Sequence, residues 1–210
     1  IREIHTQIKE ILGTNHTIMG EIYWREFFNY ILFHFPYVEK KSFREKFQKI
    51  PWETSEESLK KWQEGKTGFP IVDAGMRQLN QTGFMHNRVR MIVASFLTKD
   101  LHIDWRCGER YFAKKLIDYD TAVNSGNWQW AASTGCDSVP YFRIFNPWRQ
   151  QERFDSKCEY IKKWVTELKN MESETIHNLW KKFPKNLKYP KPMIKHKVEA
   201  EKTKNIFKMQ

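Results

Sequence analysis

Glycine is scarce in this chain, nine residues in 210, and the nine are scattered. They assemble no phosphate-cradling loop, so the common nucleotide-binding signatures are excluded. Cysteine is scarcer still. Cys107, Cys136 and Cys158 are odd in number, widely separated and match no zinc spacing. A disulfide framework carries more cysteines in even number, so reduced thiols without a metal are expected. No apolar run is long enough to cross a bilayer. The opening IREIHTQIKE has neither the apolar core nor the cleavage site of a secretory leader, and the expectation is a soluble intracellular protein with no membrane partner. Alternating β-branched runs bounded by hairpin turns are missing, as are internal repeats, helical zinc-ligand pairs and a nucleophile elbow.

What is plentiful is aromatic: 15% of the chain, with nine Trp and fifteen Phe, enough for a substantial core in one large domain or two small ones. The net charge of +11 favours a polyanionic partner. Many lysines follow Lys181, where a solvated tail is expected. Apolar positions recur at helical spacing. Ile22, Phe27, Phe28, Ile31 and Leu32 predict a helix over 21–35 stopped by Pro36, and a second runs from Ser55 to Gly65. A third runs from Pro70 to Gly83 and a fourth from His86 to Thr98. Asp104 reads as the N-cap of a helix through Ile117, and another helix covers Thr121 to Ala132. Cys136 to Arg153 reads as an ordered loop, and the end after Phe183 as a proline-rich stretch closing in a short helix. The class is all-α.

Long stretches are more specific: EIYWREF from Glu21, WQEGKTGFPIVDAGMRQL from Trp62, GFMHNRVRM from Gly83, DWRCGERYF from Asp104, and DYDTAVNSGNWQWAASTG running on to YFRIFNP from Asp118 to Pro147. Together they resemble the photolyase/cryptochrome family, in order and over almost the whole chain. The resemblance implies the carboxy-terminal part of a helical FAD-binding domain over 1–210. Family members usually begin with an α/β domain holding an antenna chromophore and a Ser/Thr-rich segment that wraps the flavin phosphates. The resemblance begins after both, so an antenna is expected only in a longer protein, and FAD is expected to be held weakly. The implied activity is light-driven repair of cyclobutane pyrimidine dimers in DNA by electron transfer from reduced FAD. The implied partner is damaged DNA, the implied state a monomer, and the implied compartment cytoplasmic in a prokaryote or nuclear in a eukaryote.

Site residues follow from the same resemblance. Asn124 matches the residue facing the flavin N5. Asp118, Tyr119 and Asp120 match the segment along the flavin, Arg90 the arginine that pairs with the first acid, and Asn87 and Arg25 other cofactor-lining positions. Trp128, Trp105 and Trp52 match a tryptophan chain from flavin to surface, while Trp62 and Trp164 are left in the core. Trp24 and Trp130 match the two walls of a lesion pocket and Glu21 the acid that bonds the lesion. Met91 stands where enzymes acting on cyclobutane dimers carry Met, and Arg88 and Gln150 match DNA-backbone contacts. Phe84, Asn127, Trp148 and Arg149 depart from common family residues. Three alternatives stay open: a blue-light receptor without repair activity, a photolyase for pyrimidine–pyrimidone lesions, and a folded relic without flavin.

Overall fold

The computed structural model describes residues 2–14 and 16–210. Eleven α-helices are found there, α1 (Arg2–Leu12), α2 (Thr17–His34), α3 (Glu56–Glu64), α4 (Pro70–Thr82), α5 (Asn87–Ser95), α6 (Trp105–Lys115), α7 (Thr121–Ala132), α8 (Pro147–Phe154), α9 (Glu159–Trp164), α10 (Ser173–His177) and α11 (His196–Lys208). The only β feature among the described residues is an isolated bridge between Glu53 and Ile103. The all-α expectation holds.

Local chemistry sets the boundaries. Ser55 caps α3 by accepting from the Ser58 N–H, and Gly65 ends it in the left-handed region that glycine enters without strain. Pro70 opens α4 at a position with no N–H to satisfy. The Asp104 and Asp120 carboxylates cap α6 and α7, accepting from Arg106 N–H and Val123 N–H. α5 runs on into a π-helical turn, Phe96–Asp100, which carries the chain past the predicted end at Thr98.

The core gathers α4, α5, α6 and α7 around Trp62, Phe69, Met76, Leu79, Ile92, Phe96, Trp105 and Trp128, all almost fully buried. Trp62 donates its indole N–H to the Val93 carbonyl at 3.1 Å, which satisfies its one polar atom. Trp164 is half-buried against the same core. Helices α6 and α7 approach closely because Gly108 has no side chain; a Cβ there would collide with the Trp128 ring.

Four expectations are corrected. The stretch 136–153 is not all loop: Pro147 at the first helical position, with Asn146 accepting from the Trp148 and Arg149 N–H groups, starts α8. The Asp104-capped helix stops at Lys115, because Leu116 is already extended and Ile117 lies outside, 80% exposed. The helix expected over 21–35 is α2 and begins at Thr17 rather than Glu21, capped by the His16 ring. The lysine-rich end is not a solvated tail. Its Tyr189 hydroxyl donates to buried Asp73, the Met193 N–H bonds the Thr67 carbonyl, and α11, thirteen residues long, buries Thr203 and Phe207.

Candidate active site

Three helices turn one face each toward a single cavity of about 730 Å³. α2 supplies Glu21, Trp24, Arg25 and Phe28, α5 supplies Asn87, Arg90, Met91 and Ala94, and α7 supplies Asn124, Asn127, Trp128 and Ala131. Each set follows the i, i+3, i+4, i+7 spacing that places residues on one side of a helix. Trp130 joins from α7, and the turn before it adds Asp118, Tyr119 and Asp120. Phe84, Phe112 and Leu116 give the cavity apolar walls. Its size lies within the roughly 300–1,000 Å³ of small-molecule sites.

Four of its charged residues are held in two ion pairs, Arg90–Asp118 and Arg25–Asp120. The Arg90 Nε donates to the Met85 carbonyl at 2.6 Å while another nitrogen donates to Asp118 at 2.8 Å. A guanidinium can serve two such acceptors in a fixed plane, which an ammonium does not. Arg25 reaches Asp120 at 3.2 Å and Glu26 at 3.1 Å. Asp120 therefore both caps α7 and anchors α2 across the cavity.

Asn124 is 9% exposed, and its Nδ2 donates to the Glu109 carboxylate at 2.9 Å and to the Glu109 carbonyl at 3.2 Å. With the nitrogen held by α6, the amide oxygen is the atom left for the cavity. The Tyr119 hydroxyl donates to the same Glu109 carboxylate at 3.3 Å, and burial pushes that phenol above its ordinary range, so it remains a donor. Glu109 was not singled out in the sequence. A signal existed: within α6 it is the lone acid among Arg106, Arg110, Lys114 and Lys115.

Trp24 stacks on Phe28 with ring centroids 5.8 Å apart and keeps 45% of its surface exposed, so an indole edge is available to a ligand. Four of the residues singled out stand elsewhere. Trp105 is buried at the start of α6, and Trp52 is half-buried against Phe47, Ile50 and Phe207. Arg88 and Gln150 are outside the cavity lining. Trp128 is buried with its ring 5.0 Å from Phe112 and 6.1 Å from Trp62.

Residues 18–209 match the family model described as the FAD binding domain of DNA photolyase. The chain belongs to that family. It is 53% identical over 193 residues to a deoxyribodipyrimidine photo-lyase of Vibrio cholerae, covering 90% of this chain and 41% of that protein. The Escherichia coli deoxyribodipyrimidine photo-lyase is 51% identical, over 88% of this chain and 40% of its own. Among solved structures, an archaeal photolyase from Sulfolobus tokodaii with two FAD molecules superposes with a TM-score of 0.92 at 44% identity, over 98% of this chain and 47% of that one. A Synechocystis cryptochrome gives 0.88 at 33% identity, over 98% of this chain and 45% of the other. The chain thus spans less than half the length of these relatives.

The cavity suits the cofactor for which the family domain is named. A flavin needs a large, mostly apolar cleft with few oriented polar groups. The walls of Phe84, Phe112, Leu116 and Trp128 supply the first, and the Arg90–Asp118 pair, Asn87 and the oriented Asn124 amide supply the second. Among the described residues no helix is long and apolar enough to cross a membrane, and no cluster of ligating side chains suits a metal ion.

Proposed function

We propose that this chain is the flavin-holding part of a lyase that splits cyclobutane pyrimidine dimers in DNA with light. One observation carries the reading: the residues matched to the cofactor and those matched to the lesion line the same cavity. Asn124, Arg90, Asp118 and Asp120 stand on the α5–α7 side, and Trp24, Glu21, Met91 and Trp130 share its walls. FAD, when bound and reduced, supplies a photoexcitable electron donor. The protein's own part is positioning. The Arg90–Asp118 and Arg25–Asp120 pairs set fixed charges beside the cofactor, and Asn124 offers it an uncharged amide oxygen. Trp24 and Trp130 supply stacking surfaces for a base turned out of the duplex, and Glu21, one turn before Trp24 and Arg25, supplies a hydrogen-bonding group beside them. Met91 on the opposite wall favours the cyclobutane dimer over the pyrimidine–pyrimidone lesion. Trp128, Trp105 and Trp52 are proposed as the path by which oxidised flavin regains electrons.

The test is a salt titration of dimer-bearing and plain duplexes against the chain with FAD in excess. The dimer-bearing duplex should bind more tightly, and Trp24→Ala should cost about 1–3 kcal/mol on that duplex alone. Equal binding of the two duplexes at every salt concentration removes the lesion pocket and leaves the light-receptor reading in its place.

A further inference from the structure

Phe154, the last residue of α8, is a large apolar ring left 46% exposed. Two guanidinium groups lie on it. The Arg88 Cζ, from α5, is 4.7 Å from the ring centroid, and the Arg153 Cζ is 5.2 Å from it. Both fall within the roughly 6 Å reach of a cation–π contact. The arginine ion pairs of the described residues involve Arg25, Arg77, Arg90 and Arg106, and neither Arg88 nor Arg153 is among them.

The choice of ring matters electrostatically. An acid at position 154 would also hold two arginines, but it would cancel their charge. A phenyl ring orients both and leaves the positive charge available. Two cations sharing one ring repel each other, so the arrangement becomes most favourable when an anion joins it. Arg88 stands on α5 between Asn87 and Arg90, which line the cavity, while Arg88 itself is outside that lining. Gln150 stands one turn before Phe154 on the same face of α8.

We propose that Phe154 is a positioning residue that holds Arg88 and Arg153 as a two-pronged grip on DNA backbone phosphate beside the cavity. The proposal rests on reading that cavity as a lesion pocket. A lesion turned into the cavity leaves its flanking phosphates at the rim, where a grip without base contacts fixes the strand and reads no sequence.

The test uses this chain and a short undamaged duplex, with affinity measured across a salt series. Arg153→Gln should weaken binding and flatten the slope of log K against log salt by about one unit. Phe154→Leu should weaken binding about three- to fivefold while both arginines remain, and Phe154→Trp should restore it to within about twofold, since indole is the better cation–π face. Adding Arg153→Gln to Phe154→Leu should cost less than Arg153→Gln alone, because the two act together. Thermal melts identify any variant that fails to fold, and Arg153→Gln, on an exposed helix end, then decides alone. A wild-type slope in Arg153→Gln, or a folded Phe154→Leu protein with wild-type affinity and slope, overturns the grip. So does a folded Phe154→Trp protein that stays as weak as Phe154→Leu. The same series on a dimer-bearing duplex separates the two readings. Loss of lesion preference in the wild type with these variant effects intact sinks the repair function and keeps the grip. Retained preference with unchanged variant slopes sinks the grip alone.

Discussion

The core around α4 and the leading pair α1–α2 treat large side chains in opposite ways. Around α4, Trp62, Phe69, Met76, Leu79 and Phe96 have almost no exposed surface. On α1 and α2, Ile11, Tyr30 and Phe33 are exposed at 78%, 65% and 79%, and α1 buries nothing fully. α2 is apolar around most of its circumference, and a soluble helix of that kind is ordinarily covered. Here only Met19, Ile22 and Phe28 are buried, and one further face serves the cavity. The α4 side is therefore stabilised by this chain's own contacts, whereas α2 carries more apolar surface than the chain covers. Substitutions on the two sides should differ sharply in cost.

The largest effect is expected at Asp73. It is fully buried in α4, and its carboxylate accepts from the Thr67 N–H and hydroxyl at 2.8 and 2.6 Å, from the Gly68 N–H at 3.0 Å and from the Tyr189 hydroxyl. Burial pushes the carboxyl up, and these four donors oppose that shift. Asp73→Ala strands all four donors out of water and unties the 189–193 segment from the core. A loss of about 3–5 kcal/mol in urea unfolding is expected. Asp73→Asn should recover little, since an amide turns one of the needed acceptors into another donor. A loss below 1 kcal/mol for Asp73→Ala would mean that the α4 core does not depend on this clamp.

An intermediate effect, with a pH signature, is expected at Lys99. It lies in the π-helical turn, 1% exposed, donating to the Ser133 hydroxyl at 2.7 Å with its ammonium 4.0 Å from the Phe207 ring of α11. Its neighbours in the same seam are Asp100, bonded to His196 at 2.5 Å, and His102, bonded to Glu199 at 2.8 Å. Burial pushes the Lys99 amine down to about 7. The unfolded chain then binds the extra proton between about pH 7 and the ordinary lysine value, so this group makes stability rise with pH across that window. Below about pH 7 its full cost is present. Lys99→Met, similar in size and uncharged, should remove that rise and be more stable than the wild type near neutral pH by on the order of a few kcal/mol. Urea melts at several values between pH 6.5 and 10 measure the difference between the two proteins, which cancels the tyrosines and cysteines they share. Parallel curves would place Lys99 in contact with water.

Legibility followed the same divide. Elements with local punctuation could be read from the sequence: α3 between Ser55 and Gly65, α4 between Pro70 and Gly83, α7 after Asp120. α8 was missed because Pro140 and Pro147 read as breakers, although Pro147 with Asn146 before it is equally a helix start. α9 and α10 are too short to show a period, and the docking of the lysine-rich end depends on Asp73 and Thr67, more than a hundred residues away. At the site, Asn124, Arg90, Trp24 and Trp130 were legible through resemblance, while Glu109 was passed over: its contact with Asn124 joins two helices, and only its standing as the lone acid of α6 marked it. The Phe154 pairing was hidden for the same reason: Arg88 and Phe154 are far apart in the chain and meet only in the fold.

The smallest effect on stability is expected on the exposed face of α2. Phe33, 79% exposed, meets the His34 ring edge-on with centroids 5.1 Å apart, and Tyr30 stacks on the same ring at 6.2 Å. Replacing both by Ser removes little buried area, and the lower helix propensity of Ser is shared by Phe and Tyr, so unfolding should change by less than about 0.5 kcal/mol per site. Association should change more. Exposed apolar rings on one helix face favour contact between copies, and light scattering against concentration should show less self-association in the double variant. If Phe33→Ser instead destabilises the chain as much as a core truncation, about 3–5 kcal/mol, then α2 is buried in solution by a contact absent from the isolated fold. The contrast between the two regions would then describe one copy of the chain and not the protein in solution.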